Sequence, residues 1–259
     1  MILRERQDRI VSALRSGGAA SVRDLAQRLD VSESTIRRDL DLLDRNGELT
    51  RTYGGAVLRP GETVTDFGDP LQRERPFTAD TGVELKQRVA ERAAALVEDD
   101  AVVLLDIGTT TPLVARRLRG RPITVITSNL AVLDELRDDS AVRLVMLGGV
   151  LRRNYRSFVG SLTQSALSQV SADLLFLSCT GVRPSGHVVD NMAVEAPIKH
   201  AMIAAADRVV LLATEAKFPG TGALRLCALS DVDTVVTSGG ANPKTLEMCR
   251  NAGGQVIIA

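Results

Sequence analysis

Residues 21 to 47, SVRDLAQRLDVSESTIRRDLDLLDRNG, carry two helical patterns separated by a short turn. The first follows Ser21, whose hydroxyl can accept hydrogen bonds from the N–H groups of a first helical turn, and repeats apolar residues on one face at Val22, Leu25, Ala26 and Leu29. The second follows Ser32, places Ile36, Leu40 and Leu43 on its inner face, and ends near Asn46-Gly47. Two short amphipathic helices joined by so tight a turn predict a helix-turn-helix.

The flanking segments extend this prediction to residues 1–59. Upstream, a further helical stripe is formed by Leu3, Ile10, Val11 and Leu14 before the break at residues 16–18. Downstream, GELTRTYGGAVL (47–58) has two β-prone runs around Gly54-Gly55, which is a hairpin signal. Three helices and a hairpin predict a winged helix-turn-helix of mixed α+β structure.

The third helix of this unit leaves polar residues on its outer faces. Arginine presents a fork of donors that fits guanine or a phosphate, and the start of a recognition helix is where such contacts are made. The alternative is that Arg37 and Arg38 pair with Asp41 and Asp44 on a solvated face. On the hairpin, Arg51 and Tyr53 are candidates for contacts with the minor groove or backbone, although Tyr53 could equally be a packing residue. The predicted DNA-contacting residues are Ser32, Ser34, Thr35, Arg37, Arg38, Arg51 and Tyr53.

Composition limits how DNA could be bound. The chain has 259 residues, a formal net charge of zero and 44% hydrophobic residues, which is ample for two cores. Residues 1–59 hold 11 arginines and 9 acids, so binding must depend on where the arginines lie and not on bulk charge.

The cysteines, Cys179, Cys227 and Cys249, lack metal-ligand spacing, as do the two histidines, so neither a metal nor a disulfide is expected. No apolar run is long enough to span a membrane, and a cytoplasmic protein is expected.

Residues 60–80 contain prolines and glycines, and their apolar residues show no sustained helical or strand periodicity. This segment predicts a linker. Residues 81–259 then alternate near-continuous apolar runs with helical stretches, which predicts an α/β domain with a mostly parallel sheet covered on both faces. Ligands of such folds bind at the carboxyl ends of the strands. The predicted strands are 102–106, 123–127, 143–149, 173–178, 208–214, 234–238 and 255–259.

The segments after these strands contain a candidate phosphate site. LLDIGTTTPLVARRL (104–118) reads as a strand, a glycine turn, three threonines and a helix, so that N–H groups and hydroxyls could bind an anion. The alternative is that Thr109 or Thr110 only caps the helix. Ser128-Asn129, Arg152 and Thr180-Gly181 follow other predicted strands and are expected on the same rim. Only four of the 32 basic residues are lysines, and Lys86, Lys199 and Lys217 fall near this rim.

The run SVRDLAQRLDVSESTIRRDLDLLDRNGELTRTYGGAVL (21–58) resembles the N-terminal signature of the DeoR family of bacterial transcriptional regulators. The resemblance continues into the second domain and implies a fold like that of ribose-5-phosphate isomerase and CoA-transferases, with phosphorylated sugars as effectors. It implies effector contacts by Lys86, Asp106, Gly108, Thr109, Thr110, Thr111, Gly148, Gly149, Glu195, Lys199 and Lys217. The segments 179–181 and 214–216 depart from the family pattern beside the expected sugar hydroxyls.

These observations favour a DNA-binding transcriptional regulator, a repressor of sugar-metabolism genes, controlled by a phosphorylated sugar and working without a cofactor. Paired operator half-sites further predict a homo-oligomer, a dimer or a tetramer. Two alternatives remain at this stage. One is a sugar-phosphate isomerase or hydrolase that uses Glu195 or Asp106 as base, which would not need residues 1–59. The other is a constitutive DNA binder whose second domain only oligomerises.

Overall fold

A computed structural model describes residues 6–7, 9–10, 19–45, 49–52, 55–57 and 82–259. The chain divides into two compact units, Met1–Gly68 and Asp69–Ala259. The predicted linker 60–80 lies outside the described residues, as does most of the first predicted helix, of which residues 6, 7, 9 and 10 are helical. The first unit contains β1 (Ala19–Ser21), α1 (Val22–Leu29), α2 (Glu33–Arg45), β2 (Thr50–Thr52) and β3 (Gly55–Val57).

The helices of the first unit form as their apolar spacing predicts. Ser21 Oγ accepts the Asp24 N–H at 3.0 Å and caps α1, and Ser32 Oγ accepts the Thr35 N–H at 3.2 Å at the start of α2. The predicted inward residues of both helices are buried, except Leu29, which is half-buried, and they share one core with Ile10, Leu49 and Ala56. The winged helix-turn-helix prediction is therefore confirmed.

The wing differs in detail from its sequence prediction. Strands β2 and β3 pair antiparallel with Thr52 opposite Gly55, so Gly55 belongs to a strand and the turn is not centred on Gly54-Gly55. Strand β1, which the sequence did not predict, pairs with the other edge of β3 and places Ser21 opposite Gly55. A side chain at Gly55 would put its Cβ 2.3 Å from the carbonyl oxygen of Ala20, so the close approach of β1 requires glycine there.

The second unit is built on a seven-stranded sheet in the order β15-β14-β12-β9-β4-β5-β6, in which every neighbouring pair is parallel. This confirms the predicted parallel α/β domain. Its elements are α3 (Val83–Ala94), β4 (Val102–Leu105), α4 (Thr111–Arg117), β5 (Thr124–Thr127), α5 (Leu130–Leu136), β6 (Arg143–Met146), β7 (Val150–Arg152), β8 (Ser157–Val159), α6 (Ser161–Leu167), β9 (Ala172–Ser178), β10 (Gly181–Val182), β11 (His187–Asp190), α7 (Ala196–Ala204), β12 (Ala206–Leu212), β13 (Leu224–Ala228), β14 (Thr234–Thr237), α8 (Pro243–Asn251) and β15 (Gln255–Ile258).

Helices cover both faces of this sheet because its strands are apolar on both sides. In β9, Leu174 and Phe176 face the core formed with α3, α4 and α5, whereas Leu175 and Leu177 face the core formed with α6, α7 and α8. Alternate residues of a strand point to opposite faces, so a continuous apolar run fills two cores at once.

Two smaller sheets lie beside the main one and were not predicted. Strands β7 and β8 form an antiparallel hairpin, and β10, β11 and β13 form an antiparallel sheet in the order β10-β11-β13. These strands contain two to five residues each and lack the long apolar runs of the parallel strands. They matter for the site because β11 ends at Asp190 and β8 begins at Ser157.

Candidate functional site

Helix α2 carries the candidate DNA-reading surface. Ile36, Leu40 and Leu43 are buried on one face, and Arg37 and Arg38 are exposed on the other. Of the smaller predicted contacts, Ser34 Oγ and Thr35 Oγ1 lie 2.9 and 2.8 Å from Ser32 Oγ, so the three hydroxyls form one cluster at the start of the helix. Tyr53 lies outside the described residues.

The arginines of this surface are not paired as the solvated-face alternative predicted. Arg37 Nη2 lies 2.8 Å from Glu33 Oε2, one turn earlier in α2, and not beside Asp41 or Asp44. Asp41 instead forms an ion pair with Arg51 of the wing. Arg38 forms no ion pair with any residue that the structure describes, and its side chain is exposed.

A buried ion pair joins Asp39 of α2 to Arg6. Arg6 donates two hydrogen bonds to Asp39, from Nε to Oδ2 at 2.5 Å and from Nη2 to Oδ1 at 3.2 Å. Asp39 is 3% exposed. This pair was not predicted from the sequence, although Asp39 follows Ile36 by three residues and so lies near the buried face of α2. Bidentate pairing fixes the orientation of the carboxylate and so ties α2 to the helical segment that contains Arg6.

A cleft of about 200 Å³ opens in the second unit where strands β4, β9 and β12 end. Its walls come from the turn after β4, the end of β9, the start of α3, the hairpin β7–β8 and the segment after β12. The residues around it are Lys86, Ile107, Gly108, Thr109, Thr110, Tyr155, Ser178, Cys179, Thr180, Asp190, Met192, Lys199, Leu212, Thr214 and Lys217. Seven of the residues that the sequence analysis proposed therefore meet here: Lys86, Gly108, Thr109, Thr110, Thr180, Lys199 and Lys217.

Two buried charged residues, Lys199 and Asp190, form what we call the floor of the cleft. Lys199 is 1% exposed, and its Nζ donates to Asp106 Oδ2 at 2.5 Å and to the Ser178 carbonyl at 2.8 Å. Asp190 Oδ2 lies 3.4 Å from the same Nζ. Asp106, proposed as an effector contact, lies behind Lys199 and accepts the Ser178 N–H at 2.9 Å, so it supports the floor and does not line the cleft.

Burial and pairing shift the pKa values of these groups. Burial raises the pKa of Asp106, although the Lys199 charge opposes that shift. Burial alone would lower the pKa of Lys199, but the charges of Asp106 and Asp190 outweigh it and raise that pKa above its ordinary value. Lys199 is therefore a fixed cation whose charge is already balanced by two carboxylates.

The turn after β4 lines the cleft with Gly108, Thr109 and Thr110. Thr111 Oγ1 donates to the carbonyl oxygens of Asp106 and Gly108 at 2.7 and 3.2 Å, which holds the turn and removes that hydroxyl from ligand contact. Thr110 precedes α4 without a side-chain cap bond, so the simple capping alternative is wrong for this residue. The N–H groups of Gly108, Thr109 and Thr110 donate to no acceptor in the described residues.

The rim of the cleft, by which we mean Lys86 and Lys217, carries half-buried lysines. Lys217 forms no ion pair within the described part of the chain. Glu215, two residues earlier, turns away from the cleft, because its Oε2 accepts from Ser238 Oγ at 2.9 Å and from the Gly240 N–H at 3.1 Å. The rim is thus more cationic than the floor.

Other proposed residues lie behind the cleft. Glu195 is completely buried and accepts from Arg152 Nη1 and Ser157 Oγ, each at 2.9 Å. Burial raises the pKa of Glu195 despite the neighbouring Arg152 charge. The remaining proposed residues, which are likewise not among the lining residues, are Ser128, Asn129, Gly148, Gly149 and Gly181.

Two of these have structural roles that account for their place in the sequence. Asn129 Oδ1 accepts the Ala131 N–H at 2.9 Å and caps α5. A Cβ at Gly149 would lie 2.2 Å from Thr163 Oγ1 and 2.6 Å from the Val159 carbonyl oxygen, so the approach of β8 and α6 requires glycine there.

Several lining residues were not proposed from the sequence. Asp190 ends a short strand of an unpredicted sheet, and Tyr155 lies in the β7–β8 hairpin with its ring 4.3 Å from the Arg152 guanidinium carbon. The segment GHVVDN (186–191) offered one signal, because an acid directly after two β-branched residues suggests a strand end.

The described residues contain no group of three or more His, Cys, Asp or Glu that could hold a metal ion. Within those same ranges no helix is long and apolar enough to cross a membrane.

Comparison with known proteins identifies both units. Residues 6–60 match the DeoR-like helix-turn-helix domain, and residues 81–239 match the DeoR C terminal sensor domain. The chain belongs to the DeoR family. It is a DNA-binding transcriptional regulator of that family and not an enzyme.

Individual DeoR relatives extend over nearly the whole chain. The L-fucose operon activator of Haemophilus influenzae is 32% identical over 230 residues, covering 89% of this chain and 90% of the relative. The glycerol-3-phosphate regulon repressor of the same organism is 31% identical over 233 residues, covering 90% and 88%. Ribose 5-phosphate isomerase A of Methanocaldococcus jannaschii overlaps 53% of this chain and 55% of its own, with 19% identity and a TM-score of 0.40.

Proposed function

We propose that this DeoR regulator is a cytoplasmic repressor of sugar-metabolism genes that binds operator DNA through α2 and the wing and releases it when a phosphorylated sugar occupies the cleft. The observation that carries the proposal is the presence, in one chain, of an exposed arginine surface and of a separate cleft with Lys217 at its rim. Relatives named for an L-fucose operon and a glycerol-3-phosphate regulon support sugar or polyol phosphates as the ligand class.

The rim is the part of the cleft that suits a phosphate. A lysine ammonium is a compact point charge that binds phosphate strongly. The N–H groups of Gly108, Thr109 and Thr110 have no acceptor among the described residues and would add neutral donors to the same cleft, as would the Thr110 hydroxyl. Hydrogen bonds to a charged group contribute about 1.5–3 kcal/mol each, so losing Lys217 should abolish most of the affinity.

We propose further that the protein binds DNA as a homo-oligomer, a dimer or a tetramer. One small reading head makes few contacts, and two-fold pairing places two such heads on the half-sites of a palindromic operator. Sedimentation of the free protein and of the DNA complex tests this directly. A monomer in both measurements would contradict it.

The function is tested by selecting a duplex from a random DNA library with the full chain and then titrating the complex with sugar phosphates at fixed salt. We expect at least one phosphate in a panel of aldose, ketose and polyol monophosphates to release the duplex, and its dephosphorylated counterpart to have no effect. Release by none of them, or equal release by the dephosphorylated sugar, would contradict the proposal.

A further inference from the structure

The cleft is electrostatically polarised between its floor and its rim. At the floor and directly behind it lie the cations Lys199 and Arg152 and the acids Asp106, Asp190 and Glu195, all at most 8% exposed. Acids therefore outnumber cations by three to two in this buried cluster. The rim, in contrast, carries Lys217 with no ion-pair partner among the described residues.

The contacts at the floor leave no positive charge for a ligand. Lys199 Nζ is engaged by Asp106 Oδ2, the Ser178 carbonyl and, at 3.4 Å, Asp190 Oδ2. Arg152 is engaged by Glu195 at 2.9 Å. An acidic group placed beside these residues would enter a buried site that already holds one more acid than cation, and like charges in a buried site oppose ionisation.

A hydroxyl group suits the same position. Asp190 Oδ1 accepts the N–H groups of Asn191 and Met192 at 2.7 and 3.0 Å, which fixes the carboxylate. Among the described residues its Oδ2 has only the longer ion-pair contact with Lys199 Nζ, at 3.4 Å. A ligand hydroxyl can donate to that oxygen, and hydrogen bonds to carboxylates are about twice as strong as neutral ones.

From this polarity we infer that the cleft selects ligands with one phosphate and an uncharged polyol end, and that Asp190 excludes ligands with a second acidic group. This inference rests on the proposed function and deepens it. It assigns the phosphate to the rim and the hydroxyl-bearing end to the floor. Sugar bisphosphates and phosphorylated sugar acids are then poor effectors even when their size and hydroxyl pattern fit.

The test uses two matched ligand pairs with the full chain, namely glucose 6-phosphate against 6-phosphogluconate, and fructose 6-phosphate against fructose 1,6-bisphosphate. Affinity is read from ligand-dependent thermal shifts at fixed pH and salt, because a ligand stabilises a protein only as far as it binds. We expect the member with the uncharged end to bind at least tenfold more tightly in any pair that binds.

Equal or tighter binding of the diacid in wild type would overturn the inference while leaving the proposed function intact. A thermal shift by none of the four ligands would instead count against a sugar-phosphate cleft, and the inference would fall with it.

Two variants attribute the selectivity to Asp190. Asp190→Asn keeps an oxygen for the Asn191 and Met192 N–H groups but removes the charge, so the preference should fall by at least threefold. Glu98→Gln removes one charge from an exposed position away from the cleft and should keep the full preference. An unchanged preference in Asp190→Asn would overturn the assignment to this residue. If that variant does not fold, the wild-type comparison still decides the selectivity.

Discussion

The candidate DNA-reading surface and the cleft use ion pairs in opposite ways. On the reading surface, Arg37 and Glu33 have side chains that are 57% and 45% exposed. At and behind the floor of the cleft, the side chains of Lys199 and Asp106 are 2% and 1% exposed. Exposed pairs contribute about 0–1 kcal/mol and are screened by salt, whereas removing one partner of a buried pair costs about 3–5 kcal/mol.

This difference matches what each region must do. An arginine that binds DNA has to leave its carboxylate partner, and a weak exposed pair lets it do so at little cost. A cleft that distinguishes one phosphate ester from another has to keep its groups fixed, which buried charges held in ion pairs achieve. Substitutions should therefore damage stability in the cleft and binding on the reading surface.

The largest expected effect is on stability, from Lys199→Met. This change leaves Asp106 and Asp190 buried without their cation, and the free energy of unfolding should fall by about 3–5 kcal/mol. Urea unfolding of the full chain measures the loss. Lys244→Met, which removes an exposed lysine at the start of α8, should change stability little and serves as the control. A loss below about 1 kcal/mol, within the usual range of surface changes, would contradict the compensated floor.

The loss in Lys199→Met should depend on pH. Burial raises the pKa of Asp106, and removing the Lys199 charge raises it further. A carboxyl group with a raised pKa in the folded state binds its proton more tightly there than in the unfolded chain, so its contribution to stability grows as pH falls and is lost as pH rises through the folded-state pKa. The variant should therefore be closer to wild type at mildly acidic pH than at pH 8. If Lys199→Met lost the same free energy of unfolding at mildly acidic pH and at pH 8, the buried acids would not be the cause of the loss.

An intermediate effect on binding is expected from Arg37→Ala and Arg38→Ala. Both side chains are exposed, so the melting temperature should stay close to the wild-type value, and only Arg37→Ala loses the about 0.3–0.5 kcal/mol of the pair with Glu33. A base-reading arginine should cost about 1–3 kcal/mol at each half-site and relax sequence preference, whereas a phosphate contact should lower the salt slope by about one. Gel shifts of each variant at several salt concentrations separate these roles. Wild-type affinity and slope in both variants would refute α2 as the reading helix.

The smallest effect is expected from Glu33→Gln. Breaking the pair with Arg37 should cost about 0.3–0.5 kcal/mol of stability, and removing a negative charge from the reading surface should slightly strengthen binding to a non-specific duplex. Asp24→Asn removes an acid from the first turn of α1, where no ion pair is formed with a described residue, and so controls for charge alone. Weaker non-specific binding by Glu33→Gln than by Asp24→Asn would contradict this account of the exposed pair.

The fold was largely predictable because its main elements have long, regular patterns. The stripe Ile36, Leu40, Leu43 fixed the inner face of α2, and apolar runs such as 173–178 marked the parallel strands. The β7–β8 hairpin and the sheet containing β11 were missed because strands of a few residues carry too short a pattern, and their pairing is set by contacts distant in sequence.

The candidate site was predictable only in part. Residues directly after strands, such as Gly108 and Lys217, were found because the carboxyl ends of parallel strands meet at one edge. Glu195 and Lys199 share α7 and its cap, yet Lys199 lines the cleft and Glu195 lies behind it with Arg152. No local pattern distinguishes the two, because the partner of each comes from a different strand end.

The central claim is that the cleft controls operator binding, and Lys217→Ala tests it most directly. Operator affinity is measured by gel shift with and without the releasing sugar phosphate, for wild type, Lys217→Ala and the control Lys244→Ala. A 100-fold release in wild type requires about 2.7 kcal/mol of differential affinity, and one lost charge-assisted contact of about 1.5–3 kcal/mol is enough to remove it. We expect Lys217→Ala to bind the operator as wild type does and to keep it in the presence of the sugar phosphate, while Lys244→Ala releases it normally. Release of the operator by Lys217→Ala at the wild-type effector concentration would contradict the claim.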